Sequence, residues 1–458
     1  MSAVTTQELA GLEAFSGEIL RPGETGYDDA RRGFNGLIDK RPALIARCLG
    51  EADIADAIAY ARAAGLEISV RGGGHSVAGR CFTEGGLMID LSRMRGVYID
   101  PVAGTARAQP GVNWGQMNRE TQLHGLAVTG GLISTTGIAG LTLGGGLGWL
   151  MPKYGLATDN LLSARVVTVD GRALTASEEE NADLFWGLRG AGANFGVVSS
   201  LEYRLHPVGP TVHGGLVAHP FDAAADVLRF YRDYSADAAD ELMTFGGVGH
   251  APDGSGAKIA LIVACHVGSP EQAEKDLQPL REFGSPIMVQ LGPLPYTVMN
   301  SLLDAAYPTG SLNYWKSAFL AGLTDEVIDE LLTRFASCPS PMTAALLEHF
   351  HGEVTRVPVD ATAVPHREPG YNFLVTSVWT EPTATDENVA WTREVFAALE
   401  PFLVGRRYLN YFSEDDVGDD PVRAAYGPNY ERLVALKTTY DPDNLFHLNA
   451  NVSPTRRA

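Results

Sequence analysis

The chain has 458 residues, a formal charge of −20 and an ordinary apolar content of 45%, so two domains, each with its own core, are expected. No basic face for phosphate and no polybasic stretch for anionic lipid is visible, which argues against nucleic-acid and membrane-surface partners; the acidic balance serves solubility. Four cysteines, at 48, 81, 265 and 338, show no C-x-x-C spacing, which fits a reducing, cytoplasmic setting in a chain too long to need disulfide staples.

Met1-Ser2-Ala3 opens the chain without a charged segment followed by an apolar one, so no signal peptide is expected. Ala43 to Cys48 reads as a buried strand, Glu51 to Ala64 as an amphipathic helix with alanines on its packing face, and Leu66 to Val70 as a second strand. This β-α-β unit delivers the turn Arg71-Gly72-Gly73-Gly74-His75-Ser76. Three successive glycines let the backbone approach a diphosphate with bare N–H groups, and the histidine sits at the rim of the same turn. The bland alternative is a glycine turn with a structural histidine. Further strands are predicted at 86–91, 96–99 and 105–108, with a helix over 113–124.

From Gly125 to Pro152 there is no charged residue, and nine of the residues are glycine. A lipid-exposed helix of that composition is implausible. The run is better explained as backbone packed around a buried flat ligand. Strands at 164–168 and 196–205 complete the first half. Gly190-Ala191-Gly192 is only a loose relative of the Rossmann fingerprint, because a strand rather than a helix follows it.

After Pro207–Pro210 the pattern changes to long strands at 258–267, 314–321 and 371–380, alternating with helices over 223–235, 325–336 and 387–399. Cys265-His266 is an adjacent pair whose side chains leave a strand on opposite faces, so one shared site is not expected. Glu348-His349-Phe350-His351 sends its two histidines to one face of a strand; without a third ligand they read as pocket-lining or structural, and no metal is expected. Tyr314, Trp315, Tyr371 and Trp379 read as core or pocket wall. The last segment is loop-rich with a helix over 421–439.

In Arg406-Arg407-Tyr408-Leu409-Asn410-Tyr411, strand alternation puts Arg406, Tyr408 and Asn410 on one face. A tyrosine titrates near pH ~10, so use as a base requires a neighbouring charge or hydrogen bonds to the phenolate; Arg406 is the expected charge. A buried tyrosine bonded to backbone is the alternative.

Arg71-Gly72-Gly73-Gly74-His75-Ser76, Thr136-Gly137-Ile138-Ala139-Gly140, Gly144-Gly145-Gly146-Leu147-Gly148, Lys153-Tyr154-Gly155-Leu156-Ala157-Thr158-Asp159-Asn160 and Gly190-Ala191-Gly192-Ala193-Asn194-Phe195-Gly196 occur in this order. Together with Tyr408-Leu409-Asn410-Tyr411 and Tyr440-Asp441-Pro442…Asn449-x-Asn451, this set resembles the FAD-linked oxidases of the berberine bridge enzyme family, in the vanillyl-alcohol oxidase superfamily. The resemblance covers nearly the whole chain, although residues 208–405 match only in general pattern. It implies an α+β fold: a two-lobed FAD-binding domain of the PCMH type over 1–207, an α/β substrate domain over 208–412 with a large, mainly antiparallel sheet backed by helices, and a segment 413–458 returning to the first domain.

The same resemblance implies FAD bonded through its 8α carbon to His75, a competent nucleophile when neutral. Ile133 and Ser134 stand where many members have a cysteine and a proline, so attachment through His75 alone is expected. The implied cofactor-binding set is Arg71, Gly72, Gly73, Gly74, His75, Ser76, Gly131, Thr135, Thr136, Gly137, Gly140, Gly144, Gly145, Gly148, Tyr154, Gly155, Asp159, Asn160, Val198, Asn449 and Asn451. Tyr408 maps onto the family's base, with Asn410 beside it and Tyr411 as the fallback. Thr136 stands where the family often has valine; it either bonds near flavin N5 or is a backbone-bonded core threonine. The implied reaction is hydride transfer from a hydroxyl- or amine-bearing carbon of a sugar, alcohol or secondary metabolite to FAD, reoxidised by dioxygen, in a monomer or homodimer. A dehydrogenase, a flavin-oxygenating monooxygenase and a non-catalytic flavin carrier are the alternatives.

Overall fold

The computed structural model describes residues 11–416 and 418–455; Met1-Ser2-Ala3, and with them the signal-peptide expectation, lie outside that range. The first sheet holds β1 (Glu18–Leu20), β2 (Leu44–Arg47), β3 (Ile68–Arg71) and β4 (Leu87–Asp90) in the order β1-β2-β4-β3. Both β2 and β3 run parallel to β4, so the β-α-β unit is present with β4 inserted between its strands. Its helix, Glu51–Ala64, buries Ile54, Ala57, Ile58 and Ala61, one stripe at i, i+3, i+4 and i+7. Gly65, at φ 62°, ends the helix in the left-handed conformation that glycine adopts without penalty.

The second sheet is antiparallel and comprises β5 (Val97–Asp100), β6 (Thr105–Ala108), β8 (Leu161–Val167), β9 (Ala173–Ser177) and β10 (Val197–Arg204), ordered β5-β6-β10-β8-β9. The two-residue strands β7 (Leu126–Ala127) and β11 (His206–Pro207) pair beside it. The uncharged stretch is not one long helix: Gly137 starts a short helix, Ile138–Leu143, and the glycines after it break the pattern. Among the described residues no helix is long and apolar enough to cross a membrane.

The third sheet has seven strands, all paired antiparallel: β12 (Thr211–Pro220), β13 (Leu242–His250), β14 (Lys258–His266), β15 (Met288–Pro295), β16 (Leu312–Leu320), β17 (Ala344–Phe350) and β18 (Gly370–Trp379), ordered β15-β12-β14-β13-β17-β18-β16. Period-two alternation gives the sheet two different faces. One face, with Ala260, Ile262, Leu347, Phe373 and Val375, packs under the helices Ala224–Ser235, Asp325–Phe335 and Thr385–Leu399. The other, with Phe245, Val263, Cys265 and Phe319, meets Leu147, Trp149 and Leu150 of the uncharged stretch. Cys265 and His266 do leave the strand on opposite faces: Cys265 packs with Phe245 and Val263 while His266 bonds Asp276 at 3.1 Å.

The helix expected over 421–439 is two helices, Asp419–Tyr426 and Tyr430–Tyr440. Gly427-Pro428 separates them, since proline cannot supply the N–H that a continuous helix needs. The second helix packs Tyr430, Leu433 and Leu436 into the core that holds Leu184, Phe185 and Trp186. Lys437, fully buried, donates to Asn194 O, Phe446 O and Asp441 Oδ2 at 2.9, 2.8 and 2.6 Å. That satisfied cation fastens the C-terminal segment onto the 192–194 turn.

Candidate active site

A cavity lies where the glycine loops of the first half face the third sheet. Its backbone wall begins where β3 runs out. Gly73 and Gly137 touch backbone to backbone: a Cβ on Gly73 would lie 2.5 Å from Gly137 Cα, so neither position accepts a side chain. Gly74 turns at φ 72°, and Arg71 braces the turn by donating from Nη1 to Ala30 O. His75 stacks on Phe34 at 3.8 Å and 15°. Its Nε2 is shielded from solvent and has no partner among the described residues, and burial lowers its pKa to about 4, so the ring is neutral.

Gly131, Ile133, Thr136, Gly140 and Gly144 continue the wall, joined by Asn194 and Asn449. Asn449 donates to Ala193 O at 2.7 Å and leaves its Oδ1 shielded and unpartnered. Thr136 donates its N–H to Ile133 O and accepts from Trp114 N through its carbonyl. A Cβ at Gly140 would meet nothing within 4 Å, so space remains beside this backbone. Bare glycine N–H groups, free space, a shielded imidazole nitrogen and a shielded amide oxygen are what an extended nucleotide cofactor requires. The residues present fit FAD.

The opposite wall comes from the third sheet: Phe245 of β13, Trp315 of β16, Leu346 and Glu348 of β17, Leu374 and Thr376 of β18. These are cross-strand neighbours on one face, Phe245 opposite Glu348, Leu346 opposite Leu374 and Trp315 opposite Thr376. Tyr307 joins them, its hydroxyl 2.9 Å from Thr376 Oγ1. Glu348 is 1% exposed. It accepts from Asn372 Nδ2 at 2.6 Å and from Tyr411 Oη at 2.9 Å. Burial outweighs both bonds and raises its pKa to about 7, and no cation among the described residues offsets the charge.

The chain around Tyr408 is not the expected strand. Gly405 turns at φ 73° and Leu409–Tyr411 closes a single 3-10 turn, so strand alternation does not apply. Arg406 pairs with Glu368 at 2.8 Å and covers the Phe319 ring, away from Tyr408. The Tyr408 hydroxyl instead receives three N–H donors: Gly146 N at 2.9 Å, Leu147 N at 3.2 Å and Asn410 Nδ2 at 2.8 Å. Desolvation still dominates and pushes its pKa up to about 12. Tyr411 stands edge-on to Tyr408 at 5.0 Å, and burial beside Glu348 raises its pKa well above 10.

Of the residues singled out from sequence, Gly72, Gly73, Gly74, His75, Ser76, Gly131, Thr136, Gly137, Gly140, Gly144, Asn449, Tyr408, Asn410 and Tyr411 line this cavity. Others lie behind it. Gly145 packs on the Tyr408 ring and Gly148 on Gly130. Asp159 is held by both Arg367 nitrogens at 2.7 Å, Gly155 is packed against Asp159, Asn160 bonds Tyr154 O and His206, and Tyr154 stacks on His206 at 3.9 Å. Val198 is a core residue of β10, Thr135 is exposed, and Asn451 Oδ1 is shielded without lining the cavity. Glu348 is a site residue that the sequence reading does not single out: alternation in Glu-His-Phe-His sends His349 and His351, stacked at 4.3 Å, to one face and the glutamate to the other, into the cavity.

Comparison with known proteins agrees with this geometry. The family described as "FAD binding domain" matches residues 42–177, and "Berberine and berberine like" matches residues 407–453. The chain is 34% identical to (R)-6-hydroxynicotine oxidase of Paenarthrobacter nicotinovorans over 98% of this chain and 99% of that one. It is 29% identical to an FAD-linked oxidoreductase of Dictyostelium discoideum over 96% of each. The crystal structure of 6-hydroxy-D-nicotine oxidase from Arthrobacter nicotinovorans superposes with a TM-score of 0.87 at 31% identity, covering 96% of this chain and 98% of that one. A chitooligosaccharide oxidase shares the fold, with a TM-score of 0.86 at 24% identity and coverage of 98% and 99%. The chain therefore belongs to the berberine bridge enzyme-like family and is an FAD-dependent oxidoreductase.

Proposed function

We propose that the chain is an oxidase of amine-bearing, largely apolar ring compounds, using FAD bonded to His75 alone and dioxygen as electron acceptor. The observation that carries the substrate is Glu348: a buried carboxyl in an aromatic wall, with no cation beside it among the described residues. A substrate ammonium supplies the missing counter-charge, and the aromatic side chains of Trp315 and Tyr307 in the same lining suit a cation as well. That a relative 34% identical is named a hydroxynicotine oxidase supports the same class.

In this reading the Gly72–Ser76 backbone, Gly137, Gly140, Asn194 and Asn449 hold the cofactor. The chain divides into a flavin part, 1–207 with 413–458, and a substrate part, 208–412; the confinement of the seven-stranded sheet to 211–379 supports that division. Bound there, FAD would supply the two-electron acceptor for a substrate hydride, with dioxygen as the final oxidant and hydrogen peroxide as its product. Glu348, titrating near neutrality, takes the ammonium proton. The freed nitrogen lone pair then expels the hydride from the adjacent C–H, and water converts the resulting iminium to carbonyl and amine. Tyr411, donating to Glu348, fixes the carboxylate's orientation.

One observation favours a second reading, oxidation of a hydroxyl-bearing carbon with Tyr408 as base. Three N–H donors converge on one phenol oxygen, where they stabilise the phenolate that a base must become, against the desolvation that raises its pKa. Mixing the enzyme without air with cyclic secondary amines, benzylic alcohols and oligosaccharides separates the two. Bleaching of the flavin by amines is expected; bleaching by alcohols or sugars alone would overturn the amine assignment.

A further inference from the structure

Gly33-Phe34-Asn35-Gly36 belongs to no helix or strand, yet it is bonded on both sides. Phe34 N donates to Gly74 O at 2.9 Å, which ties it to the flavin loop; Gly310 N donates to Phe34 O and Gly36 N to Ser311 O, both at 2.8 Å, which ties it to the approach to β16. Asn35 is 3% exposed and fully used: Nδ2 donates to Val77 O and Asn313 O at 2.7 and 2.9 Å, and Oδ1 accepts from Asn313 N and Leu37 N. Side chains cannot be added at the flanking glycines. A Cβ on Gly33 would lie 2.5 Å from the Phe82 ring and one on Gly36 2.2 Å from Gly310 O.

All this fixes one side chain. Phe34 is 3% exposed, stacks on His75 at 3.8 Å and 15°, and is itself backed edge-on by Trp315 at 6.0 Å. The ring does not line the cavity; it closes the face of the imidazole turned away from it. An aromatic side chain has a broad, soft torsion at its ring bond, so a histidine without such a neighbour samples many ring planes.

We infer that Phe34 is a positioning residue for cofactor attachment, clamping the His75 imidazole in the plane from which its shielded nitrogen meets the flavin methyl carbon. This rests on His75 being the attachment point. Linking replaces one C–H bond of the 8α methyl by a C–N bond to the imidazole. The hydrogen from the methyl, the hydrogen from the imidazole N–H and the C–H electron pair reduce the ring by two electrons; dioxygen removes both hydrogens and both electrons as hydrogen peroxide. The clamp also excludes water from the nitrogen, and burial is what keeps the imidazole unprotonated.

The test is protein expressed under riboflavin limitation, then given FAD and air, with acid-precipitable flavin followed over time beside total bound flavin. Phe34→Met fills a similar volume without a plane. It is expected to bind FAD as fully as the parent but to link it more slowly by about tenfold or more. Phe34→Tyr, which keeps the ring, is expected to link at the parental rate. If Phe34→Met does not fold, Asn35→Ala unties the same segment and is expected to slow linking at least ~3-fold. Linking at the parental rate in Phe34→Met, or in Asn35→Ala where it substitutes, overturns the inference. A parent whose colour is lost from the acid pellet overturns the His75 reading and this one with it, whereas a slow variant of a parent that does link leaves both standing.

Discussion

Glu348→Gln isolates the cost of the buried acid. In the fold the Glu348 pKa rises from 4.5 to about 7. Below pH 4.5 folded and unfolded chains are both protonated there; between 4.5 and 7 only the folded chain holds the proton, so stability falls as pH rises through that window. Above pH 7 the penalty levels off at about 3 kcal/mol, since each pKa unit is worth ~1.4 kcal/mol. Glutamine carries no such charge at any pH. Relative to the parent, the variant should therefore gain about 2–3 kcal/mol between pH 5 and pH 8.5. At ~2.1 cal/mol/K of unfolding entropy per residue, 458 residues turn this into a relative Tm rise of about 2–3 °C. Thermal scans of both holoenzymes at the two pH values, at one scan rate, read this difference directly; every other titrating group cancels. A Tm difference that does not change with pH would refute the claim that Glu348 is held near neutrality by burial.

His75→Ala is expected to bind FAD and release all of it on acid precipitation; colour retained in the variant's pellet would move the attachment point elsewhere. Asp159→Asn breaks a buried pair that holds Arg367 through two nitrogens and should cost about 3–5 kcal/mol in denaturant titration, while the flavin spectrum of the surviving holoenzyme stays parental. His366 is buried neutral with its pKa lowered to about 3. An unfolded histidine binds protons below pH 6.5 while this one does not, so stability is lost as pH falls from 6.5 toward that value. His366→Asn should reduce the acid sensitivity at pH 5 by about 2 kcal/mol, whatever it costs at pH 8. Glu348→Gln should also lower kcat/KM for an amine about 10²- to 10⁴-fold, and a smaller loss than for Tyr408→Phe would favour the hydroxyl reading.

The strands and helices with clean periodicity stand where the residues predict them: Glu51–Ala64, Thr105–Ala108 and Asp325–Phe335 carry one apolar stripe or short apolar alternation bounded by glycine or threonine caps. The glycine loops around the cavity were legible for the same local reason, because a run such as Gly72–Gly74 marks a tight turn or a close backbone approach without reference to distant residues. What sequence could not reveal depends on partners far along the chain. Asp159 resembles a cofactor ligand until Arg367, 208 positions away, claims both its oxygens. Strand alternation points to Arg406 as the charge beside Tyr408, but Gly405 turns the backbone and the donors come from Gly146, Leu147 and Asn410. Glu348 looks like part of a histidine pair in sequence; only the antiparallel register with β13 and β18 puts it among Phe245, Asn372 and Tyr411.

In the proposed reaction the Glu348 carboxylate receives a substrate ammonium. The most direct measurement is the dissociation constant of a cyclic amine that cannot be oxidised, read from its perturbation of the flavin spectrum in parent and Glu348→Gln at pH 8. Removal of a buried charge partner predicts binding weaker by about 30-fold or more in the variant. Equal affinity in the two proteins would contradict the account.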